Sequence, residues 1–293
     1  MTQTTDLVLT LVSLNSDAGT LGARAPGGTG DISDRSGPGW SVVERRVTGG
    51  AELVGWLDAE TPALGADWAI TTATNRRKRL LISDMDSTII GQECLDELAD
   101  FAGLKAEVSA ITERAMRGEL DFAGALIQRV AMLKGLNLSA LEACHRERVR
   151  LNPGARELVA TMKAHGARCV LVSGGFRYFT SRVAQMAGFE ADRANTLIDD
   201  GAALTGEVGM PILGREAKLA ALLEETAAFG GTADDAIAMG DGANDLDMIR
   251  AAGLGVAYKA KPIVAAQTRA RIQYTDLRAA LFFQGYGVNE IVA

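Results

Sequence analysis

Apolar runs along this chain stop abruptly at polar or glycine-bearing loops, and the sharpest is Leu80-Leu81-Ile82-Ser83, which ends at Asp84-Met85-Asp86-Ser87-Thr88. A run of that length reads as a strand buried on both faces, with Asp84 and Asp86 in the loop at its carboxyl end. Residues 168–172 repeat the pattern and stop at Ser173-Gly174-Gly175. Residues 236–239 do so again and stop at Gly240-Asp241-Gly242-Ala243-Asn244-Asp245. Between the first two runs the period is helical. Leu95, Leu98, Ala99 and Ala102 share a face ended by Gly103; a second helix covers 105–117 and stops at Gly118; a third covers 121–134 and stops at Gly135. A fourth, 139–148, has Ser139 as N-cap and Glu142 three residues on, a capping-box pattern. After Asn152 helix and strand alternate: helices at 157–164, 177–187, 216–226 and near 262–269, with strand-like pieces at 193–198, 204–208, 253–257 and 271–274. Such alternation predicts an α/β, doubly wound parallel sheet.

The first 75 residues read as a separate small β-rich unit. Residues 7–14 form a strand, and 42–47 joins 53–57 across Gly49-Gly50 as a hairpin. Gly19 to Trp40, rich in Gly, Pro, Ser and Asp and without periodicity, reads as a mobile loop. Residues 71–79 read as the linker into the central strand, with Arg76-Arg77-Lys78-Arg79 a solvated basic run.

Composition narrows the class. The chain has 293 residues, 47% of them hydrophobic, enough to fill substantial cores. A net charge of -7 with no other basic stripe argues against a nucleic-acid or anionic-membrane partner. Cys94, Cys144 and Cys169 lack metal-ligand spacing and fit buried thiols in a reducing compartment. With Asp6 where a secretory signal would be basic, and no long apolar stretch, the expectation is a cytoplasmic protein.

In a parallel sheet the three polar loops converge on one edge. Asp84 and Asp86, one residue apart, read either as a decorated turn or as a pair that persists by holding a cation or sharing a proton. Asp84 and Asp241, with backbone oxygen and water, make a hard oxygen site suited to Mg²⁺. Ser173 and the amides beside Gly174 suit phosphate oxygens. Lys218 is odd in the first turn of its helix, so it is either exposed or recruited to an anion. Arg129, seven residues after Phe122, falls on nearly the same face as the stripe Phe122, Leu126, Val130 and Leu133. It reads as a snorkelling or paired side chain, or as an anchor for an anion. Neither His145 nor His165 lies at a strand end, which leaves a carboxylate as nucleophile.

The four segments Asp84-Met85-Asp86-Ser87-Thr88, Ser173-Gly174-Gly175, Lys218 and Gly240-Asp241-Gly242-Ala243-Asn244-Asp245 resemble, in order, the four motifs of the haloacid dehalogenase superfamily, and in particular its phosphoserine-hydrolysing branch. The resemblance runs from about residue 79 to the end. It implies a catalytic core over 79–92 and 150–293, and a helical-bundle cap over 93–149 inserted after the first strand. Residues 1–75 would be a small, reduced ACT-like unit at most, or an oligomer contact. It further implies hydrolysis of O-phospho-L-serine, the last step of L-serine formation, through an aspartyl phosphate. Asp84 would be the nucleophile and Asp86 the acid and base. Mg²⁺ would be held by Asp84, the Asp86 carbonyl and Asp241, with Asp245 supporting them. Ser173, Gly174 and Lys218 would bind the phosphoryl group. Glu93 would face the substrate ammonium, Arg129 its carboxylate, Phe122 would cover it and Asn244 orient it. Met85 departs from the phenylalanine common at that position, a change methionine tolerates by volume. The alternatives left standing are a phosphatase for another small phosphomonoester and a non-catalytic aspartyl-phosphate signalling module. The partner expected is the small-molecule substrate, with a homodimer left open.

Overall fold

The structure is a computed structural model and describes residues 6–14, 17–116 and 119–293. Its elements in chain order are β1 (Leu7–Ser13), α1 (Ala18–Arg24), β2 (Gly28–Asp34), β3 (Ser41–Val47), α2 (Ala51–Leu64), β4 (Asp67–Thr72) and β5 (Leu80–Ser83). Four helices follow: α3 (Cys94–Phe101), α4 (Lys105–Met116), α5 (Phe122–Ala131) and α6 (Leu138–Arg148). The rest is α7 (Ala155–Ala164), β6 (Arg168–Phe176), α8 (Arg177–Ala187), β7 (Ala191–Asn195), β8 (Leu197–Asp199), β9 (Leu204–Val208), α9 (Arg215–Ala228), β10 (Ala236–Gly240), α10 (Leu246–Ala251), β11 (Leu254–Tyr258), α11 (Pro262–Ala265), β12 (Ala270–Ile272) and α12 (Ala279–Phe283).

The central strands are parallel, in the order β12-β11-β10-β5-β6-β7. Leu80, Leu81, Ile82, Val170 and Leu171 are fully buried, as a strand covered on both faces requires. One face packs Leu80, Ile82, Val170 and Val172 against Ala221 and Leu222 of α9. The other packs Leu81, Cys169 and Leu171 among Leu158, Met162 and Phe179 of α7 and α8. The three cysteines are buried and free. Among the described residues no helix is long and apolar enough to cross a membrane.

The amino-terminal reading needs correction. Residues 19–40 are not a loop: they carry α1 and β2, and the unit runs βαββαβ with strand order β2-β3-β1-β4. Asp17 caps α1, accepting from the Gly19 amide at 2.8 Å and the Thr20 hydroxyl at 2.9 Å. Gly22 in α1 serves close packing, since a Cβ there would lie 3.2 Å from Val43 Cγ2. Residues 53–57 are not a strand of a hairpin either. Leu53, Leu57 and Thr61 recur every four residues and are the buried face of α2, which Gly50 opens at φ 113° and Gly65 closes at φ 55°.

The amino-terminal sheet joins the parallel one through antiparallel pairing of β4 with β12, giving ten strands in a row. The basic run 76–79 is solvated only at Arg77 and Arg79, while Arg76 and Lys78 cement that junction. Arg76 pairs with buried Glu44 at 2.7 Å and donates to the Phe283 carbonyl; Lys78, 7% exposed, donates to the Asn75 and Asp234 carbonyls, both at 2.7 Å. Buried Asp67, opening β4, accepts four hydrogen bonds from residues 273–275.

Helices α3 to α6 pack on one another between β5 and α7. The N-cap of α6 is Asn137, whose side chain accepts from the Ser139 amide at 2.8 Å, not Ser139 with Glu142. The expected stop at Gly118 lies outside the described residues.

Candidate active site

Adjacent parallel strands β10, β5 and β6 pair in register, Met239 with Ser83 and Ser83 with Leu171, so their carboxyl ends open together. The Asp84 amide carries the ladder one step further, donating to the Met239 carbonyl at 2.9 Å. Beyond it the chain turns tightly with Ser87 at φ 53° and re-enters α3. This turn aims both carboxylates at one cavity of about 130 Å³, lined by Asp84, Asp86, Glu93, Phe122, Arg129, Ser173, Gly174, Asp241 and Asn244, all of them residues the sequence pointed to.

Lys218 and Asp245 lie behind it. Packing of α9 on the sheet buries Lys218, whose Nζ sits 2.7 Å from Asp84 Oδ1 and 2.6 Å from Asp245 Oδ1. Of the two readings of its odd position, recruitment to anions is the one observed. Asp245 Oδ2 accepts the Gly242 amide at 3.0 Å, so both its oxygens are committed.

Asp84, Asp241 and Asp245 present oxygens all within 4.8 Å of one another. Burial first, then repulsion from Asp245, drives the Asp84 pKa well above the usual carboxylate range, against the pull of Lys218. The same two causes lift Asp241 to about 6, with Lys261 opposing. For Lys218 burial works against the charge, but Asp84 and Asp245 outweigh it and its pKa is raised. Three close carboxylates with one buried ammonium leave uncompensated negative charge. Asp84 meets Lys218 through Oδ1 alone, whereas both oxygens of Asp245 are committed, so the second Asp84 oxygen and the Asp241 carboxylate offer hard oxygens that fit a small divalent cation.

Asp86 is the better proton carrier. Its Oδ1 accepts from the Cys94 amide at 3.0 Å at the start of α3, and Ser173 Oγ lies 3.4 Å from Oδ2. Burial and then the nearby Glu93 charge raise it to about 7, where it can both hold and release a proton at neutral pH. Glu93 is itself fixed by the Ser87 hydroxyl at 2.7 Å.

Arg129, from α5, donates through Nε to the Ala125 carbonyl at 3.3 Å and has Asp96 and Glu93 nearby; burial lowers its pKa, and those two charges oppose the shift. It does not snorkel outward but lines the cavity. The Phe122 ring closes over Gly174, where a Cβ would lie 3.0 Å from Phe122 Cζ. A Cβ on Gly175 would lie 2.9 Å from Asp86 Oδ2, so both contacts depend on glycine.

Two residues at this edge escaped the sequence reading. Lys261 lines the cavity, and its amide donates to the Asp241 carbonyl at 3.0 Å; Asn195 holds Gly174 from behind. They stand just after β11 and at the end of β7, the strands flanking β10 and β6. Extending the strand-end argument to those neighbours would have found both.

Comparison with known proteins agrees with this geometry. Residues 81–250 match the family of haloacid dehalogenase-like hydrolases. A phosphoserine phosphatase of Polaromonas sp. is 49% identical over 199 residues, covering 66% of this chain and 84% of that protein. The crystal structure of a hydrolase of the same family from Salmonella enterica superposes with a TM-score of 0.86 at 27% identity, covering 94% of this chain and 98% of that one. A structure of a phospho-aspartyl intermediate analogue of phosphoserine phosphatase superposes with a TM-score of 0.65 at 36% identity, over 71% of this chain and 99% of that one. With its four motifs gathered at one sheet edge and the family match spanning four of its central strands, β5, β6, β7 and β10, the chain belongs to the haloacid dehalogenase-like hydrolases.

Proposed function

We propose that this protein hydrolyses O-phospho-L-serine to L-serine and phosphate. The observation that carries the reading is Arg129 and Glu93 lining one cavity with Asp84 and Asp86: opposite charges for a carboxylate and an ammonium, beside a nucleophile and its acid. The Polaromonas relative, 49% identical over 199 residues, is a phosphoserine phosphatase.

An Asp84 carboxylate oxygen attacks phosphorus in line with the seryl oxygen; the new P–O bond forms as the bond to serine breaks, and Asp86 gives its proton to the leaving oxygen. Water then attacks the aspartyl phosphate. Asp86 takes its proton, the bond between phosphorus and the Asp84 oxygen breaks, and phosphate leaves. Ser173, the Gly174 amide and Lys218 bind the transferring phosphoryl oxygens, whose charge dominates the transition state. Arg129 pairs with the substrate carboxylate as a two-pronged fork, Glu93 receives the ammonium, Phe122 covers the serine and Asn244 orients it. Asp84, the Asp86 carbonyl and Asp241, with Asp245 steadying them, would hold Mg²⁺, which would supply charge neutralisation at the phosphoryl oxygens.

We assign residues 79–92 and 150–293 to the catalytic core, 93–149 to a cap and 1–75 to an ACT-like unit, for which the complete βαββαβ order is the support. The reading places the enzyme in the cytoplasm, where L-serine is made. The test is phosphate release from L-phosphoserine, phosphothreonine, phosphoethanolamine and a sugar phosphate, with Mg²⁺ and then with EDTA. Mg²⁺-dependent preference for phosphoserine over phosphoethanolamine is expected. Equal rates on all four would discard the substrate, and stable phosphorylation without turnover would favour a signalling role.

A further inference from the structure

Asn195, the last residue of β7, is 2% exposed, and its side chain makes three hydrogen bonds to two separate segments of the site. Nδ2 donates to the Gly174 carbonyl at 2.8 Å and to the Leu213 carbonyl at 3.2 Å, while Oδ1 accepts from the Leu213 amide at 2.6 Å. The amide orientation is fixed by that network, since only oxygen can face the Leu213 N–H.

This amide stands in for a missing piece of sheet. The β6–β7 register shifts between Val172 and Phe176, so Ser173, Gly174 and Gly175 bulge away from β7, and Asn195 sits opposite Phe176. The peptide unit joining Gly174 and Gly175 is thereby pinned at both ends. Its carbonyl is held by Asn195, and its N–H donates to Ser173 Oγ at 2.9 Å. Ser173 Oγ in turn reaches Asp86 Oδ2. On the other side, Leu213 lies two residues before α9, whose first turn carries Lys218.

We propose that Asn195 is a positioning residue for phosphoryl transfer. Its side chain fixes the phosphate-binding turn 173–175 relative to the start of α9, and so sets Ser173, Gly174 and Lys218 around one phosphoryl group. The proposal rests on the reading of those three residues as phosphoryl-binding groups. Loss of the tether frees the peptide between Gly174 and Gly175 to rotate, removes the donor that orients the Ser173 hydroxyl, and loosens the approach to α9. A displacement of that kind acts on the reaction, whatever the rest of the substrate is.

The variants are Asn195→Ala and the isosteric Asn195→Asp, which keeps the acceptor for the Leu213 amide but turns a carboxylate oxygen towards two carbonyls. Turnover would be measured with phosphoserine and phosphoethanolamine, and amide hydrogen exchange over peptides covering 173–176 and 209–218. Both variants should lose about ten- to a hundredfold in kcat on either substrate, in the range expected for small misplacements of a reacting group. KM should move far less, and exchange should quicken in those two peptides while β5 and β10 keep wild-type protection. If Asn195→Asp restores wild-type kcat, the side chain merely fills space and the proposal falls. Faster exchange spread evenly over the whole sheet would overturn it too, because the variant would then be globally loosened. A wild-type protein that hydrolyses neither substrate sinks the proposed function first; the exchange data then judge the tether alone, and unchanged exchange at 173–176 overturns it.

Discussion

Replacement of Arg129 by alanine separates binding of the substrate's carboxylate from the chemistry at phosphorus. Arg129 lines the same cavity as Asp84, is half-buried, and among the described residues its one recorded hydrogen bond is from Nε to Ala125. Its remaining donors are therefore available to a bidentate partner. Truncating one member of a buried, hydrogen-bonded charge pair costs about 2–5 kcal/mol, and the partial exposure of Arg129 places this case near the lower end, at about 2–3 kcal/mol. At about 1.4 kcal/mol per decade, kcat/KM for phosphoserine should fall about 30- to 150-fold. Phosphoethanolamine has the same phosphoryl and ammonium groups but no carboxylate. On it the variant should stay within about threefold of the parent, the scatter expected of a distant change. Arg129→Lys keeps the charge and loses the fork, so it should fall between the two. The assay is initial-rate phosphate release with both substrates at saturating Mg²⁺. Equal losses on the two substrates would refute the pairing, because the arginine would then be supporting the fold or the phosphoryl site.

Other expectations follow from the same geometry. Lys218→Met leaves Asp84 and Asp245 facing one another without their 2.7 and 2.6 Å partner, and loss of a buried pair member should destabilise by about 3–5 kcal/mol, read as a lower melting temperature together with lost turnover. Without a divalent cation, Asp86 at about 7 and Asp241 at about 6 are raised above their unfolded values. Their contribution to stability is therefore present at low pH and is lost as pH rises through 6 to 7, so the metal-free protein should melt at a lower temperature at pH 8 than at pH 5, and Mg²⁺ should reverse the loss at pH 8. Because the cation would displace the proton on the Asp241 carboxyl, while Asp86 meets it only through its carbonyl, calorimetry in two buffers of different ionisation heat should find more protons released on Mg²⁺ binding at pH 6 than at pH 8.5. Glu44→Ala strands Arg35 and Arg76 at the junction of the two sheets and should destabilise by about 3 kcal/mol, with proteolysis at residues 73–79 as a second readout.

The catalytic edge was legible because it obeys a local rule: an apolar run that ends in Asp, Ser-Gly or Gly-Asp is a buried strand with its loop at the ligand face. Asp84, Ser173 and Asp241 could be placed from that rule alone, and Arg129 from an interrupted helical stripe. Glu93, Phe122 and Asn244 came through family resemblance, and the structure brings all three to the cavity. The stretch 19–40 was misread because a glycine such as Gly22 packs closely against Val43, and composition alone cannot tell a packed glycine from a mobile one. Likewise Leu53 to Leu57 is apolar enough for a strand, and only the four-residue recurrence through Thr61 marks the helix. Within the basic run, Arg76 and Lys78 looked solvated because their partners, Glu44 and the carbonyls of Phe283 and Asp234, lie far away in sequence. Asn195 could be placed as a strand-end residue, but nothing near it in sequence announces its partners Gly174 and Leu213.

The central claim, that Asp84 is the nucleophile towards phosphoserine, is tested most directly by acid quench of the enzyme during turnover of L-phosphoserine labelled in its phosphoryl group, followed by peptide mapping. Label should appear on the peptide carrying Asp84, be hydrolysed as the acyl phosphate it is, and be absent from the Asp84→Asn variant. Turnover with label on another residue, or undiminished turnover by Asp84→Asn, would contradict the account.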